Sequence, residues 1–87
     1  MNGIFELADL FDYIASDDYK ERFYGEYHEL AIRLEKLRTI ISRYEHGTLE
    51  FSPLCSIGLL IQQANAMEEY KLILEQRAVI EGINLDI

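Results

Sequence analysis

From Phe23 to Tyr44, the apolar residues Phe23, Tyr27, Leu30, Leu34, Leu37, Ile41 and Tyr44 follow one another at steps of 4, 3, 4, 3, 4 and 3. A repeat averaging about 3.5 residues is the pattern of a coiled-coil-like seam, along which one helix packs lengthwise on another. A chain of 87 residues with such a helix in its middle has room for one small domain and not two. The expected fold class is therefore all-α.

The boundaries follow from local chemistry. The long helix is expected over residues 19–46, with Gly47 as its stop because glycine takes the left-handed conformation cheaply. Ser16, Asp17 and Asp18 precede it, and each caps a helix well. A first, acidic helix is expected from Ile4 to Ala15, capped by Asn2, with Ile4, Leu7, Ala8, Phe11 and Ile14 on its apolar stripe. Residues 47–56 make a turn, with Ser52-Pro53 or Ser56 opening the next helix. A second long helix over 57–82 ends at Gly82. It carries two adjacent seams: Leu60, Ala64, Met67, Leu74 and Ala78 form one, and Leu59, Ala66, Tyr70, Ile73 and Ile80 the other. The tail 83–87 alternates apolar and polar residues, and lies extended against a neighbour or frays.

Two long helices joined by a short turn make an antiparallel hairpin. Each arm is about 40 Å long at 1.5 Å per residue. A lone hairpin of this size has a thin core. The surplus seam predicts that the chain assembles as a homo-oligomer through Leu59, Ala66, Tyr70, Ile73 and Ile80. The plainer alternative is a monomeric three-helix bundle, with the first helix filling the groove.

Several functions are disfavoured. Sixteen acids against eight bases give a net charge of −8, contrary to the basic face that direct nucleic-acid binding needs. No apolar run reaches the ~18 residues of a membrane span, and no secretory signal is visible. A cytoplasmic protein is the expectation. His28-Glu29 opens a zincin-like pattern, but Ile32 stands where the second histidine would be. His28 and His46 are about 27 Å apart along one helix, too far to share a metal. Cys55 is expected as a small buried hydrophobe in the turn. No phosphate loop, dinucleotide fingerprint or nucleophile elbow occurs. No enzyme, no metal and no cofactor are expected.

Charge is unevenly placed. Residues 1–18 hold five acids and no base, whereas six of the eight cations, Lys20, Arg22, Arg33, Lys36, Arg38 and Arg43, lie within 19–46. Most belong on a solvated face with i, i+4 partners such as Glu29 for Arg33 and Glu26 for Arg22. The hairpin register places Arg77 beside the start of the long helix. The open end then gathers Tyr19, Lys20, Arg22, Tyr24, Tyr27 and Arg77 as candidate ligand-binding residues, around Phe23. Arginine forks grip phosphate oxygens, and aromatic faces stack on a base. Gly25 lies mid-helix, where it allows close approach of another helix or a ligand.

The runs Tyr19-Lys20-Glu21-Arg22, Glu26-Tyr27-His28-Glu29-Leu30 and Arg33-Leu34-Glu35-Lys36-Leu37 form the first half of a recognisable pattern. Leu59-Leu60, Gln62-Gln63, Ala66-Met67-Glu68-Glu69-Tyr70, Leu74-Glu75-Gln76-Arg77 and Gly82 complete it. Over residues 19–82 the chain resembles a family of small phage proteins related to a crAss-like phage protein. The resemblance implies an anti-defence protein acting inside a bacterial host cell. By analogy of architecture, some oligomeric hairpins of phages act as sponges that sequester a nucleotide second messenger, of cyclic-nucleotide or ADP-ribose type, made by CBASS or Thoeris systems. Two other readings stand beside this one. The chain is an acidic inhibitor of a host defence protein, such as an anti-CRISPR, with a face built from Glu6, Asp9, Asp12, Asp17 and Asp18. Or it is a structural adaptor that only self-associates.

Overall fold

A computed structural model describes residues 7–86. A 3₁₀ turn at Leu7–Leu10 leads into a single α-helical turn, α1 (Phe11–Ile14), and two long helices follow, α2 (Tyr19–Glu45) and α3 (Ile57–Glu81). The caps explain the long helices. The Asp18 carboxylate accepts from the backbone N–H groups of Lys20 and Glu21, and Ser56 Oγ from that of Leu59. Both satisfy donors that a helix start leaves open. At the other ends Gly47 and Gly82 take φ of 71° and 69°. Thr48 N–H then reaches back to Arg43 O, and Ile83 N–H to Ala78 O. Both ends are Schellman closures, which turn the chain back over the last helical turn.

The first segment departs from expectation. Instead of a continuous helix to Ala15, a 3₁₀ turn passes into four α-helical residues. Leu10 at the start of α1 offers no side-chain cap, and one turn without a cap has little stability of its own. Tertiary contact holds it, since Leu10 is completely buried. The expected start at Ile4 and cap at Asn2 lie outside the described residues, as does Glu6 of the acidic face.

α2 and α3 run antiparallel. Tyr19 meets Glu81, Tyr27 meets Glu75 and Arg38 meets Glu68. Phe23, Leu30, Leu74, Ala78 and Ile83 form the core, with Tyr27, Met67 and Leu85 packed against it. The α2 seam is buried at Phe23, Leu30 and Leu34, but Tyr44 near the turn is exposed. α1 packs on α2 alone among the long helices, so the described residues form three layers with α2 in the middle. α1 does not fill the groove of a three-helix bundle. Its close approach falls at buried Gly25, where a Cβ would lie 3.0 Å from the backbone nitrogen of Ile14.

The turn and the tail differ from their expected places. Cys55 is exposed, because loop 47–56 extends past the helix pair. Its neighbour Leu54 is fully open to solvent. The tail folds back on its own hairpin: Ile83 is buried, and the Leu85 carbonyl accepts from His28 Nε2–H at 2.7 Å. Burial pushes the His28 pKa below its ordinary 6.5, against the opposing effect of the Leu85 hydrogen bond. The unfolded chain therefore binds this proton first, and stability falls as pH drops below about 6.5. The melting temperature is expected to fall between pH 7.5 and pH 5.5, and to fall less in His28→Gln, which keeps a donor without the charge. Equal falls in both proteins would assign the acid sensitivity to other groups.

Candidate functional site

The open end of the hairpin carries a closed ring of three hydrogen bonds. Tyr19 Oη donates to Glu81 Oε1 at 2.6 Å, Arg77 Nη2 donates to Tyr19 Oη at 2.7 Å, and Arg77 Nε donates to Glu81 Oε2 at 3.1 Å. The Arg77 guanidinium carbon lies 5.0 Å from the centre of the Phe23 ring, a cation–π placement. The hydrogen bond from Tyr19 holds the Glu81 carboxyl below its ordinary pKa, aided by Arg77, and the same bond raises the Tyr19 hydroxyl. Arg77 and Tyr19 thus form a pair of donors that grips a two-oxygen anion, and the chain supplies one of its own. Because Arg77 and Glu81 are i, i+4 neighbours on α3, the pair is preset by helix geometry.

The other candidates are placed differently. Lys20 Nζ points to the Gly82 carbonyl at 3.5 Å, beside the ring and at the negative end of the α3 dipole. Arg22 turns away and donates to the Ser16 carbonyl at 3.0 Å rather than reaching on to Glu26. Residues two apart on a helix project to nearly opposite sides, so Lys20 and Arg22 do not converge within one chain. Tyr24 is engaged between Tyr13 and His28, with ring centres 4.7 and 4.4 Å away. Tyr27 is half-buried and bound to Glu75, and its hydroxyl pKa is pushed up to about 12 by burial first and Glu75 second. Tyr24 and Tyr27 are thus held in contacts within the chain, while Tyr19, Lys20, Phe23, Arg77 and Glu81 gather at the open end. Glu81 was missed in the sequence, although its place four residues after Arg77 was a readable signal.

A hollow of about 400 Å³ lies at the closed end, lined by Tyr44, Leu49, Phe51, Pro53, Cys55 and Ile57 among others. No charged side chain lines it, so it lacks the fork that an anion needs. Among the described residues no group of three metal-ligating side chains occurs, and no helix is long and apolar enough to cross a membrane. The candidate interface residues Leu59, Ala66, Tyr70, Ile73 and Ile80 all lie exposed on α3.

A family model described as Sequestin covers residues 17–80, from the α2 cap almost to the end of α3. No curated protein and no solved structure matches the chain.

Proposed function

Because the chain belongs to the Sequestin family, whose name denotes sequestering, we propose that it is a non-enzymatic, phage-encoded sponge. On this reading it acts in the cytoplasm of a bacterial host and holds a nucleotide-derived immune signal, of cyclic-nucleotide or ADP-ribose type. The observation that carries the reading is the Arg77–Tyr19 pair already closed on the Glu81 carboxylate. A phosphate presents the same kind of paired oxygens and competes with Glu81, whose side chain is partly exposed, for the same donors. Lys20 adds a second cation from the neighbouring helix turn, and the Phe23 and Tyr19 rings supply apolar surface for a base. A homo-oligomer built on the exposed α3 seam sets the surface of a second chain beside the same ligand.

Thermal unfolding against cyclic di- and trinucleotides and ADP-ribose derivatives tests this. A ligand at 100 times its dissociation constant adds about 2.7 kcal/mol, enough to raise the melting temperature by several degrees. Arg77→Ala is expected to weaken binding at least ~10-fold by removing a charged hydrogen-bond fork. Glu81→Gln is expected to strengthen it, by freeing that fork from an internal competitor. Recovery of the ligand intact after denaturation separates sequestration from turnover. A flat panel, or a shift that survives Arg77→Ala, would overturn the reading. The acidic-inhibitor alternative has the exposed Asp9, Asp12 and Asp17 in its favour. It calls for salt-sensitive capture of a basic host protein.

A further inference from the structure

We infer that α3 pairs antiparallel with α3 of a second copy, along the face opposite the hairpin core. The inference rests on the self-association in the reading above and not on the ligand. Leu59, Ala66, Ile73 and Ile80 recur every seventh residue and all are exposed, Leu59 at 54%, Ile73 at 53% and Ile80 at 83%. An apolar residue at every seventh position, with Tyr70 between, keeps one row facing a neighbour along the helix, as one row of a coiled-coil seam does, and a second helix offers holes at the same spacing. The stretch from Leu59 to Ile80 spans roughly 32 Å at 1.5 Å per residue.

Two observations set the direction. Packed parallel, each residue meets its own copy, so Glu69 lies level with Glu69 and Arg77 with Arg77, and like charges oppose. Ala66 also meets Ala66, which leaves a void. Packed antiparallel about a two-fold axis between Glu69 and Tyr70, Leu59 opposes Ile80 and Ala66 opposes Ile73, so small meets large. The flanking residues then complement one another. Tyr70 faces Glu69 of the second copy, Gln63 faces its Gln76 and Arg77 faces its Gln62.

A rival strip on α3 contains the exposed Leu72 and Val79. Glu68 and Glu75 interrupt it, and both already hold partners within the chain, Arg38 and Tyr27 respectively. It offers no continuous seam. In the antiparallel pair each Arg77–Tyr19 ring is walled on one side by the second copy, so the open end is completed only on association.

Light scattering on the intact chain is expected to give twice the monomer mass of 10.2 kDa. Ile73→Glu, on an exposed position, is expected to return it to monomer with helical content unchanged. In a Cys55→Ser background, Leu59→Cys and Ile80→Cys proteins are oxidised separately and as a mixture. The antiparallel pair cross-links at least ~10-fold more in the mixture than in either protein alone. Cross-linking of the single variants to the same extent, a monomer mass for the intact chain, or a dimer lost on Val79→Glu but kept on Ile73→Glu would each overturn the pairing. A flat nucleotide panel beside mixture-specific cross-links fails the ligand reading and leaves the pairing standing.

Discussion

Leu74→Ala is expected to lower the melting temperature by at least about 10 °C. Leu74 is completely buried and belongs to the cluster of Phe23, Leu30, Ala78 and Ile83. Truncating a buried leucine costs about 2–5 kcal/mol, part from lost transfer and part from the cavity left behind. In a domain of this size each kcal/mol moves the midpoint by about 4–8 °C. The thin two-helix core has little else to rearrange into the gap, so the cost stays near the upper half of that range. Val79→Ala on the exposed side of the same helix is the control, with an expected shift of under ~0.5 kcal/mol. Calorimetry checks both. Similar shifts for the two variants would mean that the hairpin core does not govern stability.

Gly25→Val is expected to lift α1 from α2 while leaving the hairpin folded. A Cβ at Gly25 would lie 3.0 Å from Ile14 N and Cγ1 and 3.1 Å from Tyr13 Cβ. Ile14 Cγ1 belongs to a side chain that can rotate, but Ile14 N is backbone and moves only with α1. Overpacking of this kind costs about 1–3 kcal/mol, and displacing α1 also opens the Tyr13–Tyr24 contact. Hydrogen exchange should quicken across residues 7–15 and stay slow at Leu30 and Leu74. Gly25→Ala is the graded case, because a gain of about 1 kcal/mol in helix propensity offsets part of the clash. Unchanged exchange over 7–15 in Gly25→Val would show that α1 is not held at this glycine.

These contacts show why some features were legible in the sequence and others were not. The extent of α2 was readable because cap, 3.5-residue seam and stop glycine are each local signals, and all three agree at Asp18, Phe23–Tyr44 and Gly47. The antiparallel pairing was readable because a short turn leaves a long helix few alternatives. The extent of α1 is not legible, since periodicity does not reveal whether one or three turns will be supported by a neighbour. The hairpin register brings Lys20 and Arg22 to the same end of the molecule, yet a two-residue step sends them to opposite sides of the helix. The companions of Tyr24 and Tyr27, namely Tyr13, His28 and Glu75, are not legible in the sequence because they are set by how the helices and the first segment pack. Cys55 was expected inside because free cysteines usually are, but a loop beyond the helix pair has no interior to enter.

The exposed Cys55 at the hairpin tip doubles as a native spectroscopic ruler. It stands roughly fifteen residues beyond the inferred two-fold axis, so antiparallel helices carry their two thiols to opposite poles, roughly 40 Å apart at 1.5 Å per residue. The distance between spin labels or dyes attached there reports the direction in which the two copies pack.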